Sequence, residues 1–169
     1  MDNYREYRNV RKRSGWPSGE WDSEPDKAQW IDEATGLDCL IVRNRHGALC
    51  GYVGVDGMHP WYGHNYSNDC TQQPACGATW CGHAPDCLVD VHGGLTFSSF
   101  CDDGGDERIA ICHVPAPGRP DRVWWFGFDC WHSGDFAPGD GIERGGHYRG
   151  WGYVRRQVEQ LAAQIKAVA

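Results

Sequence analysis

The stretch Asp38-Cys39-Leu40-Ile41-Val42-Arg43-Asn44-Arg45-His46-Gly47-Ala48-Leu49-Cys50-Gly51-Tyr52-Val53-Gly54-Val55 decides the fold. Its two β-rich runs, 38–44 and 48–55, flank Asn44-Arg45-His46-Gly47, a short turn in which Gly47 supplies a positive φ. That pattern is a β-hairpin, and a hairpin commits the chain to an antiparallel sheet. Downstream, Arg122–Asp129 is nearly all apolar through Val123-Trp124-Trp125-Phe126-Gly127-Phe128, as a strand buried on both faces is. Further strands are expected at 88–91, resuming at 95–97 after Gly93-Gly94, and at 108–114 before Pro115. Two adjacent glycines in a strand mark a bulge or a close approach by another backbone or a ligand.

Outward from these strands the chain is less regular. Residues 1–25 are polar and rich in turn formers, and a short helical turn is expected from Asp26 to Ala34, with Asp26 as its cap and Gly36 as its stop. Residues 56–87 show no periodicity and read as a cysteine-rich insertion. The last segment, 152–168, places Val154, Val158, Leu161, Ile165 and Val168 at spacings of four, three, four and three, a single apolar stripe on a helix. Docking of that stripe on the sheet is the expected use, with homo-oligomerisation through the helix as the alternative. The expected architecture is α+β: one domain over 1–169, a mainly antiparallel sheet of about five strands, a C-terminal amphipathic helix and a Cys-rich insertion loop.

Composition narrows the partners. A formal charge of −7 argues against binding bulk nucleic acid, which needs clustered Lys and Arg. No apolar run approaches the roughly 20 residues that span a bilayer. The N-terminus carries no apolar signal-peptide core, so a cytoplasmic location is expected. In a reducing cytosol, clustered thiols more often hold metal or stay free than pair.

Nine cysteines are present, and four fall in Cys70-x5-Cys76-x4-Cys81-x5-Cys87, with His64 and His83 nearby. Thiolate and imidazole ligands suit tetrahedral zinc, so Cys70, Cys76, Cys81, His83 and Cys87 are candidate ligands of a structural zinc site. The C-x2-C spacing of zinc knuckles is absent, and two disulfides or free thiols remain alternatives. Cys39, Cys50 and Cys112 lie in apolar runs and are expected as small core residues.

Two His/Asp clusters close strands. Asp90-Val91-His92 would put carboxylate and imidazole on one face of a strand, with Gly93, Gly94 and Thr96 leaving room for a ligand. Asp129-Cys130-Trp131-His132-Ser133-Gly134-Asp135 follows the apolar strand directly. Together His92, His132, Asp90, Asp129 and Asp135 could hold a divalent cation and its water, or work as a metal-free acid/base set. Cys130 beside His132 is a candidate nucleophile. Trp125 and Trp131 are expected to line the pocket, and stacking on aromatic faces favours a nucleotide-like ligand. Arg43, Arg45, Arg119 and Arg122 are candidate phosphate contacts. His46, His113 and His147 are weaker candidates, more consistent with hydrogen-bonded or exposed roles. The function expected is hydrolysis of a nucleotide-like or other small polar ligand. The alternatives are sequestration of a small nucleotide signal and a zinc-stabilised protein-interaction module.

Five strings, Trp30-Ile31-Asp32-Glu33, Cys50-Gly51-Tyr52-Val53-Gly54-Val55, Val91-His92-Gly93-Gly94-Leu95-Thr96-Phe97, Ile111-Cys112-His113-Val114-Pro115 and Trp125-Phe126-Gly127-Phe128-Asp129-Cys130, give the chain a further likeness. It resembles a family of small proteins found in bacteriophages and actinobacterial genomes, over a span from about Trp21 to the terminal helix. The resemblance implies a mobile element in a bacterial cytosol and a role against host defence. It carries over no functional residue.

Overall fold

A computed structural model describes residues 3–67, 84–102 and 104–169. Six strands, β1 (Arg5–Tyr7), β2 (Lys27–Ile31), β3 (Asp38–Arg43), β4 (Leu49–Val55), β5 (Phe97–Phe100) and β6 (Trp124–Asp129), form one sheet in the order β1-β2-β3-β4-β6-β5. Every neighbouring pair is antiparallel. A four-residue helix, α1 (Pro85–Leu88), precedes β5, and the long helix α2 (Trp151–Lys166) ends the chain. This is the expected α+β class.

The hairpin forms as the sequence requires. Arg43 pairs with Leu49 at its tip, and Gly47 takes φ +89° in the turn. On one face of the sheet, Cys39, Ile41, Leu49, Val53, Phe126 and Phe128 meet the α2 stripe Val154, Val158, Leu161 and Ile165. Each of those helix side chains is buried, and each contributes about 1.5–3 kcal/mol by leaving water. The stripe that a coiled coil would use therefore faces the sheet, where α2 packs on β4 and β3. Gly51 permits the approach, because a Cβ there would overlap both Phe128 and Val158. The opposite face buries Leu40, Val42, Cys50, Tyr52, Val123 and Trp125 in a second, smaller core.

Several segments differ from expectation. Residues 26–34 are not a helical turn; Lys27–Ile31 is a strand paired with β3. The alternation of Ala28 and Trp30 with Lys27 and Gln29 has the period of a strand, but its polar members lie on a buried face. Residues 108–114 are not a strand, because side chains of β2 take the hydrogen bonds a neighbouring strand would have taken. Lys27 Nζ donates to the carbonyls of Glu107 (2.6 Å), Ala110 (2.8 Å) and Cys112 (2.7 Å). Gln29 donates to Val114 O and accepts from Val114 N. Three carbonyls use all three donors of an ammonium group. Burial lowers the Lys27 pKa to about 8.

A buried ionic cluster fastens the N-terminal segment to the hairpin. Arg43 is fully buried and binds Asp26 (3.1 Å) and Glu24 (3.0 Å), so it is no phosphate contact. Tyr148 donates to the same Glu24, and Arg13 reaches Asp26 at 2.5 Å. Burial alone would raise the Asp26 carboxyl, but hydrogen bonds from the Arg11 and Val10 amides and from Arg13 hold it below the usual carboxylate range.

Candidate functional site

Strand β6 ends in Asp129, and the chain turns at once, with the Asp135 amide donating to His132 O. This turn carries His132 and Asp135 back to the sheet edge. On the other side, Val91–Gly94 is a tight turn in which Gly94 N donates to Val91 O and Gly93 has φ +69°. Residues 88–91 are therefore not a strand, since the two positive-φ glycines curl the backbone instead of extending it. The turn projects His92 toward Asp135, and α2 supplies Tyr153 and Gln157 one helical turn apart.

The resulting cluster is centred on Asp135, which is 2% exposed. Its Oδ2 meets His92 Nε2 at 2.8 Å and accepts the His132 amide at 3.0 Å, while Oδ1 accepts Arg149 Nε at 3.0 Å. Burial pushes the Asp135 carboxyl up, but His92, Arg149 and the His132 amide together hold it below the usual range. An ionised carboxylate only accepts, so His92 carries its proton on Nε2. Nδ1 is then the acceptor for the Tyr153 hydroxyl, 2.8 Å away. Tyr153–His92–Asp135 is thus a continuous relay of two hydrogen bonds.

His132 stands beside this relay, its ring centre 6.0 Å from that of His92. Its Nε2 lies 3.4 Å from Asp129 Oδ1 but makes no hydrogen bond. Asp129 also accepts from the Thr96 hydroxyl at 2.9 Å and the Trp131 amide at 3.0 Å. A Cβ on Gly93 would overlap the His132 ring, which is the close approach that the paired glycines suggested. The sequence therefore located His92, His132, Asp129, Asp135, Gly93 and Thr96 in one neighbourhood. Gly94 packs against Asp86 instead.

Other expected members lie elsewhere. Asp90 is exposed, its backbone tied to Gln164, because the i, i+2 rule needs a strand that is not there. Trp125 is fully buried in the smaller core on the opposite face from Phe126, as strand alternation requires. Trp131 is 38% exposed but stacks on His46, with ring centres 4.0 Å apart, under the Arg144 guanidinium. Cys130 is buried, and burial raises its thiol far above the range of a reactive thiolate. The donor atoms of His92, His132, Asp129 and Asp135 do not close around a common cation position. Among the described residues, the group whose ligand atoms all lie within 4.8 Å of one another is Cys101, Cys112 and His113.

Of the expected zinc ligands, Cys70, Cys76, Cys81 and His83 lie outside the described residues, and Cys87 is disulfide-bonded. Cys112 is not a free core thiol either, for it pairs with Cys101. Cys39 and Cys50 are free and buried, as expected. Disulfides persist in oxidising surroundings, so these pairings run against the reduced-thiol premise. No helix among the described residues is long and apolar enough to cross a membrane.

The residues that sequence reasoning missed are Arg149, Tyr153 and Gln157. Gln157 holds the His92 amide, while Arg149 and Tyr153 connect the relay to a cavity of about 450 Å³ whose wall also includes Glu20, Glu24, His147 and Arg156. A tyrosine four residues before a glutamine on the terminal helix was the available signal, since that spacing shares a face.

Fold and site together define an α+β protein with a polar relay at the edge of an antiparallel sheet. Compared with known proteins, the chain matches no family model, no curated protein and no solved structure.

Proposed function

We propose that the protein catalyses acid–base hydrolysis of a small, anionic, nucleotide-like ligand in the cavity beside α2. The observation that carries this reading is the Tyr153–His92–Asp135 relay, whose outer member forms part of the cavity wall. Tyr153 would accept a proton from an attacking water while passing its own to His92, and Asp135 would balance the imidazolium. Arg149, which binds Asp135 and lies over the Tyr153 ring, would oppose charge developing on the ligand. Arg156 and His147 on the same wall favour an anion, and Glu24 is already neutralised by Arg43.

The test pairs turnover with ligand recovery. The purified protein is incubated with a panel of cyclic mononucleotides, cyclic dinucleotides and nucleoside phosphates, and the products are separated. Tyr153→Phe removes the hydroxyl and keeps the ring, so it should lower turnover about 100-fold or more while leaving the melting temperature close to wild type. Full activity in Tyr153→Phe and His92→Asn would remove the relay from the reaction. Ligand bound by the wild type yet recovered intact after denaturation would replace catalysis by sequestration.

A further inference from the structure

A second chemical centre lies on the opposite face of the sheet. The Cys101–Cys112 disulfide adjoins His113, and one ring nitrogen of His113 falls within 4.8 Å of both sulfurs. The His113 side chain is 1% exposed, and neither ring nitrogen has a partner at full hydrogen-bond geometry, the Pro120 carbonyl being only a weak acceptor nearby. A buried imidazole without a full hydrogen bond costs roughly 1–3 kcal/mol of desolvation, so it calls for an explanation. The nearest carboxylate oxygen, on Asp38, stands 4.0 Å away and is already engaged by Arg119 at 3.0 Å.

We propose that, once this disulfide is reduced, Cys101, Cys112 and His113 form a binding site for a borderline-soft divalent cation of the zinc type. Reduction by a thiol or phosphine breaks the sulfur–sulfur bond. Two thiols give up their protons and two electrons to become a disulfide, or one phosphine takes the oxygen of a water molecule to become a phosphine oxide while that water supplies the protons, and each protein sulfur ends with one proton. Metal binding then releases those two protons, as two thiolates and one neutral imidazole nitrogen enter coordination. Two thiolates on a dication give a neutral centre, which suits a half-buried place. Two sulfurs and one nitrogen are ligands of a zinc site that keeps its fourth position open.

Three features favour this site. The loop does not depend on the disulfide for its place, because Lys27 holds the carbonyls of Glu107, Ala110 and Cys112, and Gln29 holds Val114. Reduced thiols would therefore stay beside His113. Their sulfurs need only rotate apart to about 3.8 Å, the edge of a tetrahedron with metal–sulfur bonds of about 2.3 Å. Entry is also provided for. A cavity of about 220 Å³ reaches Cys112 and His113 between Asp102 and Glu107, and acidic walls attract a cation. A separate cavity of about 220 Å³ touches both cysteines from the side of Asp121 and Arg122. While the disulfide is intact the sulfurs carry no charge to offer, so occupancy follows the thiol redox state.

Cobalt(II) is the probe, because thiolate ligation gives it a charge-transfer absorption. The whole chain is reduced with a phosphine, which does not compete for the metal, and titrated with cobalt anaerobically. Wild type should bind one equivalent more than Cys101→Ser/Cys112→Ser, and that equivalent should weaken at least tenfold in His113→Gln. The unreduced wild type should lack it. Equal stoichiometry in reduced wild type and the double-serine variant overturns the proposal, as does an unchanged titration in His113→Gln. Should the double-serine chain lose its sheet by circular dichroism, His113→Gln decides alone, since it keeps both thiols. Cysteines elsewhere in the chain contribute equally to both sides of each comparison.

Discussion

Two polar clusters in this molecule are built from the same residue types and treat them differently. Around Asp26 and Arg43, a guanidinium with no exposed surface meets two carboxylates, a tyrosine hydroxyl and two backbone carbonyls. Around His92 and Asp135, the relay is complete, but His132 beside it stops 3.4 Å short of Asp129 and leaves Nε2 unbonded. The first arrangement spends its charges on one another, even where Glu24 and Tyr148 reach the cavity wall. The second leaves a ring nitrogen of His132 unbonded, next to a relay whose outer member, Tyr153, lines the cavity. A saturated cluster fastens chain segments together, whereas a reserve of unmet hydrogen-bonding capacity is what a ligand or a reacting proton can use.

The largest expected effect breaks the saturated side. Arg43→Met removes the cation and leaves Glu24, Tyr148 and two carbonyls without it, which should cost about 3–5 kcal/mol. Urea unfolding should show a lower midpoint with an unchanged slope. A loss below about 1 kcal/mol would put this pair among ordinary surface ion pairs and dissolve the contrast.

Asp135→Asn tests the other side and should cost about 2 kcal/mol at neutral pH, through the weakened bonds to Arg149 and His92. The cost should depend on pH in a definite direction. Asp135 is held below the usual carboxylate range in the folded chain. The folded state therefore binds fewer protons than the unfolded state between that lowered value and the ordinary one near 4. Its contribution is fully present above about pH 4 and is lost as pH falls through the folded value. The gap between wild type and Asp135→Asn should close accordingly below about pH 4. A gap that stays constant down to acid pH would mean that the Asp135 charge is not what the cluster uses.

The elements written in local pattern are those the sequence disclosed. The hairpin from Asp38 to Val55, strand β6 and the α2 stripe each repeat a period that one burial face imposes. Strand β2 was hidden because Lys27 and Gln29 occupy a buried face, where their polarity reads as solvent exposure. Residues 108–114 run in the opposite sense: an apolar run looks like a strand, yet its backbone is satisfied by Lys27 and Gln29 side chains from 83 or more positions earlier. The site follows the same rule. His92, His132, Asp129 and Asp135 were legible because each stands at a chain reversal marked by glycine or by the end of an apolar strand. Tyr153 and Arg149 join them only through the return of α2, a long-range fact with no local signature. Trp125 belongs to the smaller core and not to the site, as strand alternation opposite Phe126 requires, so aromatic density along β6 is no guide to which rings face a ligand.

The smallest effect concerns the rim, where Trp131 was expected to receive a planar ligand. Its ring is already stacked on His46, and Asp140 binds both the indole N–H (2.6 Å) and His46 Nδ1 (2.8 Å). Such an exposed stack contributes about 0.5–1 kcal/mol, so His46→Ala should lower stability by no more than that. The functional consequence is larger than the energetic one. With His46 gone, the indole face is free, and adenosine should quench the Trp131 emission in the variant. Subtracting the spectrum of Trp131→Phe isolates that signal. In wild type the same addition should leave Trp131 unaffected, because stacking there must first expel the imidazole that Asp140 holds. Equal quenching in the two proteins would show that the stack yields readily to a planar ligand. The rim would then belong with the adaptable cluster around His132 and not with the saturated one around Arg43.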